Sequence, residues 1–195
     1  ISRHVLSAPG QPGANDRIRM AGIGIGGRGS GVLGEFLGQP DVQCVAVCDA
    51  RVDRRERVKQ RVDAWYGNQE CAEYRDFREL LARDDLDAVL ITTGSNNHAM
   101  LSMYAARAGK DVYCEKPVTH WRQFALTRKL AGVVARSDRV FQLGTQAMSD
   151  SVWNQMKKLV RDGAIGQPIF GETGFFRIGD WGERGMGIPD PDARP

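Results

Sequence analysis

The sequence contains no apolar run near the length of a membrane span, which takes about 20 consecutive apolar residues. A spanning helix is therefore not expected. The net charge of +3 is too small to argue for nucleic acid as a partner. Basic residues cluster once, in "RVDRRERVKQR" from Arg51 to Arg61, and Asp53 and Glu56 interrupt the cluster. A solvated helix face is favoured there over a binding patch. Histidine is scarce, with only His4, His98 and His120, widely scattered. The four cysteines, Cys44, Cys48, Cys71 and Cys114, form no C-x-x-C pair and have no histidine at ligand spacing. No metal site is expected, and no disulfide framework. Cys44, Cys48 and Cys114 lie in strand-like apolar runs, where buried free thiols are expected.

What the chain has is alternation. "RIRMAGIG" reads as a strand, "SGVLGEFLG" as a helix and "VQCVAVCD" as a second strand, an apolar run of the kind a sheet buried on both faces requires. A charged helix is expected from Val52 to Trp65. "FRELLAR" is a short helix with Asp76 as N-cap and Glu79 in capping-box position. "LDAVLITT", a helix from Asn97 to Ala108, "KDVYCEKP", a helix from Trp121 to Ala135, "RVFQLGTQ" and the helix "SVWNQMKKLVRDG" continue the pattern. "GQPIFGETGFFRI" reads as a strand of different character, aromatic and alternating. Strand-helix alternation of this kind predicts an α/β fold with a doubly wound parallel sheet, followed by the beginning of a second α+β domain. The expected divisions are a flexible leader over 1–16, a dinucleotide-binding domain over 17–148, and a linking helix with the start of a truncated sheet domain over 149–195.

Ligands of a doubly wound sheet bind beyond the carboxyl ends of its strands. Just there stands "MAGIGIGGRGSG", which carries G-x-G-x-x-G in two frames, Gly22, Gly24, Gly27 or Gly24, Gly26, Gly29. The context, strand before and helix after, is that of a dinucleotide fingerprint. One glycine allows the tight turn, one the approach of a pyrophosphate and one close packing of helix on strand. The second strand ends at Asp49, a carboxylate able to accept hydrogen bonds from ribose hydroxyls, about 20 residues past the glycines. That spacing favours the later frame, which also leaves the first strand its full apolar length. The acid favours NAD over NADP, although Arg51 keeps NADP open, and Asp49 as a helix N-cap is the structural alternative.

Glu115-Lys116-Pro117, following "AGKDVY", resembles the E-K-P motif of the Gfo/Idh/MocA oxidoreductases, the glucose-fructose oxidoreductase and inositol dehydrogenase family. The resemblance runs over residues 17–178 and includes "GIGGRG", "YRDFRELLARDDLDAVLI", "AARAGKDVYCEKP" and "QLGTQ". It implies a Rossmann-type domain with the phosphate turn at Gly24, Gly26 and Gly29, lined also by Gly27 and Arg28, and the ribose carboxylate at Asp49. The family's T-P-[DN]-x-x-H loop places Thr93 and His98 at the cofactor. Gly94 and Ser95 replace its proline and acid or amide, which puts the contact of Ser95 in doubt. Glu115 and Lys116 are implied to face nicotinamide ribose and substrate, with a cis bond before Pro117, and Gln146 to stand near the nicotinamide. Burial beside a cationic nicotinamide would lower the Lys116 pKa and suit it to proton relay.

The resemblance implies NAD-dependent hydride transfer to or from a sugar or cyclitol hydroxyl. It also implies a homo-oligomer through a C-terminal sheet domain that supplies a second acid-base group and begins near "PIFGETGFFRI". Two alternatives stay open, a glycosidase that uses bound NAD for transient oxidation and a non-catalytic NAD(H)-binding partner protein. The leader resembles the segment after a twin-arginine signal in exported relatives, so export is favoured over a cytoplasmic location.

Overall fold

The computed structural model describes residues 12–172, and the chain divides into two compact units, residues 1–144 and 145–195. In the first unit, β1 (Ile18–Ile23), β2 (Val42–Cys48), β3 (Ala72–Tyr74), β4 (Ala88–Ile91), β5 (Asp111–Glu115) and β6 (Phe141–Gly144) form a sheet in the order β3-β2-β1-β4-β5-β6. Every neighbouring pair is parallel. The connecting helices are α1 (Gly27–Leu37), α2 (Val52–Tyr66), α3 (Phe77–Leu81), α4 (Ser95–Arg107) and α5 (Phe124–Ala135). This is the doubly wound parallel sheet that the alternation predicts.

The apolar runs form strands because both faces of the sheet are covered. Along β4, Val89 and Ile91 enter one cluster with Leu80 of α3 and Leu101 and Ala105 of α4. Leu90 enters the other, with Leu33 and Leu37 of α1 and Val58 and Val62 of α2. Each such Val, Leu or Ile side chain, fully buried, stabilises the fold by about 1.5–3 kcal/mol. Between β1 and β2 the register shifts. Met20 stands opposite Cys44 and Ala21 opposite Ala46, so Val45 is an extra residue on β2.

Beyond β3 the chain crosses to the far side of β1, where β4 pairs. The loops after β1 and β4 therefore leave in different directions and open a crevice at the sheet's carboxyl end. Among the described residues no helix is long and apolar enough to cross a membrane.

Several boundaries differ from the sequence reading. The helix after β1 starts at Gly27, ahead of Ser30, and α4 at Ser95, ahead of Asn97, whereas α5 starts only at Phe124 and leaves Trp121 exposed. β3 is unforeseen, being three residues long and too short to show a period. Asp76 caps α3 as expected, its side chain accepting from the Arg78 N–H. Of the aromatic strand, residues 166–172 carry no strand and the remainder lies outside the described residues, as does most of the leader. In the second unit α6 (Ser151–Arg161) is capped by Asp150 and exposes Val152, Trp153, Met156, Leu159 and Val160.

Candidate functional site

A cleft of about 510 Å³ opens at the carboxyl ends of β1, β2 and β4. The β1–α1 turn contributes Gly24, Gly26, Gly27, Arg28 and Gly29, the β2–α2 turn Asp49, Ala50 and Arg54, and the β4–α4 turn Thr92, Thr93, Gly94 and Asn97. Arg75, Phe77, Met100 and Leu101 complete the walls.

The glycines differ in what they permit. Gly24 has φ +81°, and its N–H donates to the Cys48 carbonyl at 2.8 Å. A Cβ there would collide with Thr93. At Gly29, in the first turn of α1, a Cβ would strike the Gly24 carbonyl oxygen and the Thr92 hydroxyl. That hydroxyl donates to the Gly24 oxygen at 2.8 Å. Gly26 is the extended N-cap of α1 and offers no side-chain cap. Gly27 has nothing within 4 Å of its would-be Cβ, so its open side belongs to the cleft. Gly22 lies within β1. The N–H groups of the first helical turn have no intrahelical acceptor and carry the positive end of the dipole, an arrangement suited to an anion.

Asp49 is buried, and its Oδ1 accepts the Arg51 N–H at 3.0 Å. The N-cap of α2 is Arg51 itself, so Asp49 shapes the turn ahead of the helix and is not its cap. Arg54 Nη1 lies 3.9 Å from Asp49 Oδ2. Arg55 donates to the Asp49 carbonyl at 2.8 Å, and Arg61 to the Ser30 carbonyl at 2.7 Å. The basic cluster is thus only partly a solvated face, because three of its arginines fasten α2 to the turns beside the cleft or line the cleft itself.

At the end of β5, Glu115 is buried, and its Oε1 accepts from Arg28 Nε at 2.8 Å and Nη2 at 2.6 Å. Its Oε2 accepts the Lys116 N–H at 3.0 Å. The Lys116–Pro117 bond is cis. Lys116 is exposed. The desolvation that the sequence reading relied upon is therefore not provided by this unit. His98 is buried, with Nδ1 2.7 Å from the Pro117 oxygen and Nε2 2.8 Å from the Thr93 oxygen. Its ring ties the β4–α4 turn to the turn after β5. Ser95 is the half-buried first residue of α4, and Gln146 lies exposed in the second unit.

The structure thus brings Gly24, Gly26, Gly27, Arg28, Gly29, Asp49 and Thr93 together around one cleft, with Glu115 joined to it through Arg28. Among the described residues, the lining does not include Ser95, His98, Glu115, Lys116 or Pro117. Sequence reasoning missed Arg54, Arg75, Phe77 and Asn97. Asn97 carried a signal, as a polar residue in the first turn of a helix that opens on the crevice.

Residues 18–145 match the family described as "Oxidoreductase family, NAD-binding Rossmann fold". A glycosyl hydrolase family 109 protein of Saccharopolyspora erythraea is 34% identical over 170 residues, covering 83% of this chain and 36% of that protein. Inositol 2-dehydrogenase of Salmonella typhimurium is 29% identical over 153 residues, covering 75% of this chain and 42% of that protein. The crystal structure of myo-inositol 2-dehydrogenase from Lactobacillus plantarum aligns with a TM-score of 0.67 at 26% identity, covering 77% of this chain and 43% of that one. The chain thus spans well under half the length of these relatives. The match over the glycine turn, the crossover and the end of β5 settles the family: the chain belongs to the Gfo/Idh/MocA oxidoreductases with an NAD-binding Rossmann fold.

Proposed function

We propose that this chain is the cofactor-binding part of an NAD-dependent oxidoreductase that moves a hydride between a sugar or cyclitol hydroxyl carbon and nicotinamide. The observation that carries this reading is one cleft with a glycine turn, a ribose-directed acid and, through the Arg28–Glu115 pair, the Glu115-Lys116-Pro117 strand end. The residues fit the cofactor. Gly27 leaves open the space that a pyrophosphate needs beside the free N–H groups of α1, and Asp49 lines the same cleft with its Oδ2 3.9 Å from Arg54 Nη1. Bound NAD supplies the hydride acceptor. The protein orients it and manages the proton. Gly24 and Gly29 let the turn close on the helix, Asp49 holds the adenosine ribose, and Lys116 donates to or takes a proton from the reacting hydroxyl. Thr93, Ser95, His98 and Pro117 support the nicotinamide half, His98 by holding two turns together.

NAD is the preferred cofactor, with NADP the lesser one. The rest of the protein supplies the substrate-reading surface, a second acid-base group and a homo-oligomer contact, and the protein is exported. Calorimetric titration with NADH tests the cofactor reading, for which saturable one-to-one binding is expected. No heat change at saturating NADH would sink it. The similarity to the glycosyl hydrolase family 109 protein favours a second reading, glycoside cleavage through transient oxidation. With the full-length protein, accumulation of NADH in solution supports the dehydrogenase, and release of aglycone without net NADH supports the glycosidase.

A further inference from the structure

Two of the thiols are neighbours. Cys44 and Cys71 are 2% and 4% exposed and belong to the same core cluster. Both line one small cavity of about 60 Å³ at the β2–β3 edge of the sheet. Ala46 is aligned with Ala72, the first residue of β3, which Cys71 directly precedes. Cys44 lies on β2, two residues before Ala46. The two thiols are in side-chain hydrogen-bond contact across this cavity. A single turn of α2 fixes both backbones. The Cys44 N–H donates to the Tyr66 hydroxyl at 2.9 Å, and the Cys71 N–H to Asp63 Oδ1 at 3.0 Å. The Cys71 thiol, followed by burial, holds the Cys44 thiol well above its ordinary pKa. Cys48 and Cys114 lie elsewhere, in the other core cluster.

We propose that Cys44 and Cys71 are an oxidation site that closes to a disulfide under a hydroperoxide, fastening β3 to β2. One sulfur, losing its proton, attacks a peroxide oxygen. The O–O bond breaks, a sulfenic acid forms and the leaving oxygen departs as water. The second sulfur, losing its proton, attacks the first. The S–S bond forms, the S–O bond breaks and a second water leaves. Each sulfur has lost one electron, and the peroxide oxygens have gained the pair. A peroxide is small enough for the cavity.

The test treats the folded chain with hydrogen peroxide, then denatures it, alkylates the remaining thiols and maps the peptides. The expected result is loss of two of the four alkylatable thiols, a peptide pair cross-linked through Cys44 and Cys71, and a rise in melting temperature that a reductant reverses. Cys44→Ala or Cys71→Ala leaves the remaining three thiols alkylatable. Either variant suffices, so that one failing to fold does not end the test. Sulfinic acid on one of the pair without cross-linking would overturn the proposal. So would four intact thiols at a peroxide dose that oxidises the unfolded chain.

Discussion

Arg28 donates from both Nε and Nη2 to a single oxygen of Glu115, at 2.8 and 2.6 Å. The contact fastens the first turn of α1 to the end of β5. The carboxylate side chain is 5% exposed and the guanidinium 59%, so this is a buried acid answered by a half-solvated base. Arg28→Ala strands Glu115 and should cost about 1–2 kcal/mol of stability, read as a lower urea midpoint. Glu115→Gln in the same background should recover part of the loss. An unchanged midpoint in Arg28→Ala would show that water replaces the guanidinium at no cost.

Gly27 and Gly29 should separate binding from stability. Gly29→Ala drives a methyl into the Gly24 carbonyl and the Thr92 hydroxyl, costing about 1–3 kcal/mol. Gly27→Ala meets nothing in the protein and should leave stability within about 0.5 kcal/mol. Its methyl projects where the pyrophosphate is proposed, so NADH affinity should fall at least about tenfold. Thermal melts and calorimetry on the two variants check this, and full NADH affinity in Gly27→Ala would remove the phosphate from this turn.

Asp49→Asn should weaken NAD binding about tenfold, roughly 1.4 kcal/mol, because an amide oxygen is a poorer acceptor for ribose hydroxyls than a carboxylate. NADP should lose less, since its 2′-phosphate no longer faces an acid while Arg54 stays beside it. Paired titrations with NAD and NADP give the ratio; an unmoved ratio would clear Asp49 of any part in cofactor choice.

Lys116→Ala in the full-length protein should keep NAD affinity within about twofold and lower kcat by about 100-fold or more. The side chain is exposed and holds no part of the core, so its removal should leave the melting temperature alone. Wild-type turnover in this variant would strip Lys116 of its proposed proton-transfer role.

Burial pushes the Cys48 thiol from 9.0 to about 12 and the Cys114 thiol from 9.0 to about 11. Above pH 9.0 the unfolded chain releases these protons while the folded one keeps them. The stability they contribute is complete below that pH and is lost as pH rises through about 11 and 12. Urea midpoints should therefore fall through this alkaline window, and less steeply in Cys48→Ala. Identical slopes for the two proteins would exclude the thiol as a source.

Much of the sheet was legible, because β2 and β4 are unbroken apolar runs that only a doubly covered strand tolerates. The glycine turn was legible in position from the length of β1. β3 was not, since three residues show no periodicity. Nor was the partner of Glu115, since Arg28 lies 87 residues away in the chain. Arg54 was hidden for another reason: a run of alternating charges gives no hint of which arginine turns toward a cleft.

Gly24 and Thr93 occupy what is nearly the same space, the glycine having no side chain because the threonine is already there. The first and fourth strand turns are therefore one interlocking part made from two pieces of chain. A chimera that imports the glycine turn of a relative without its β4–α4 turn should fold less well than one that imports both, even when each transplanted segment is sound in its own protein.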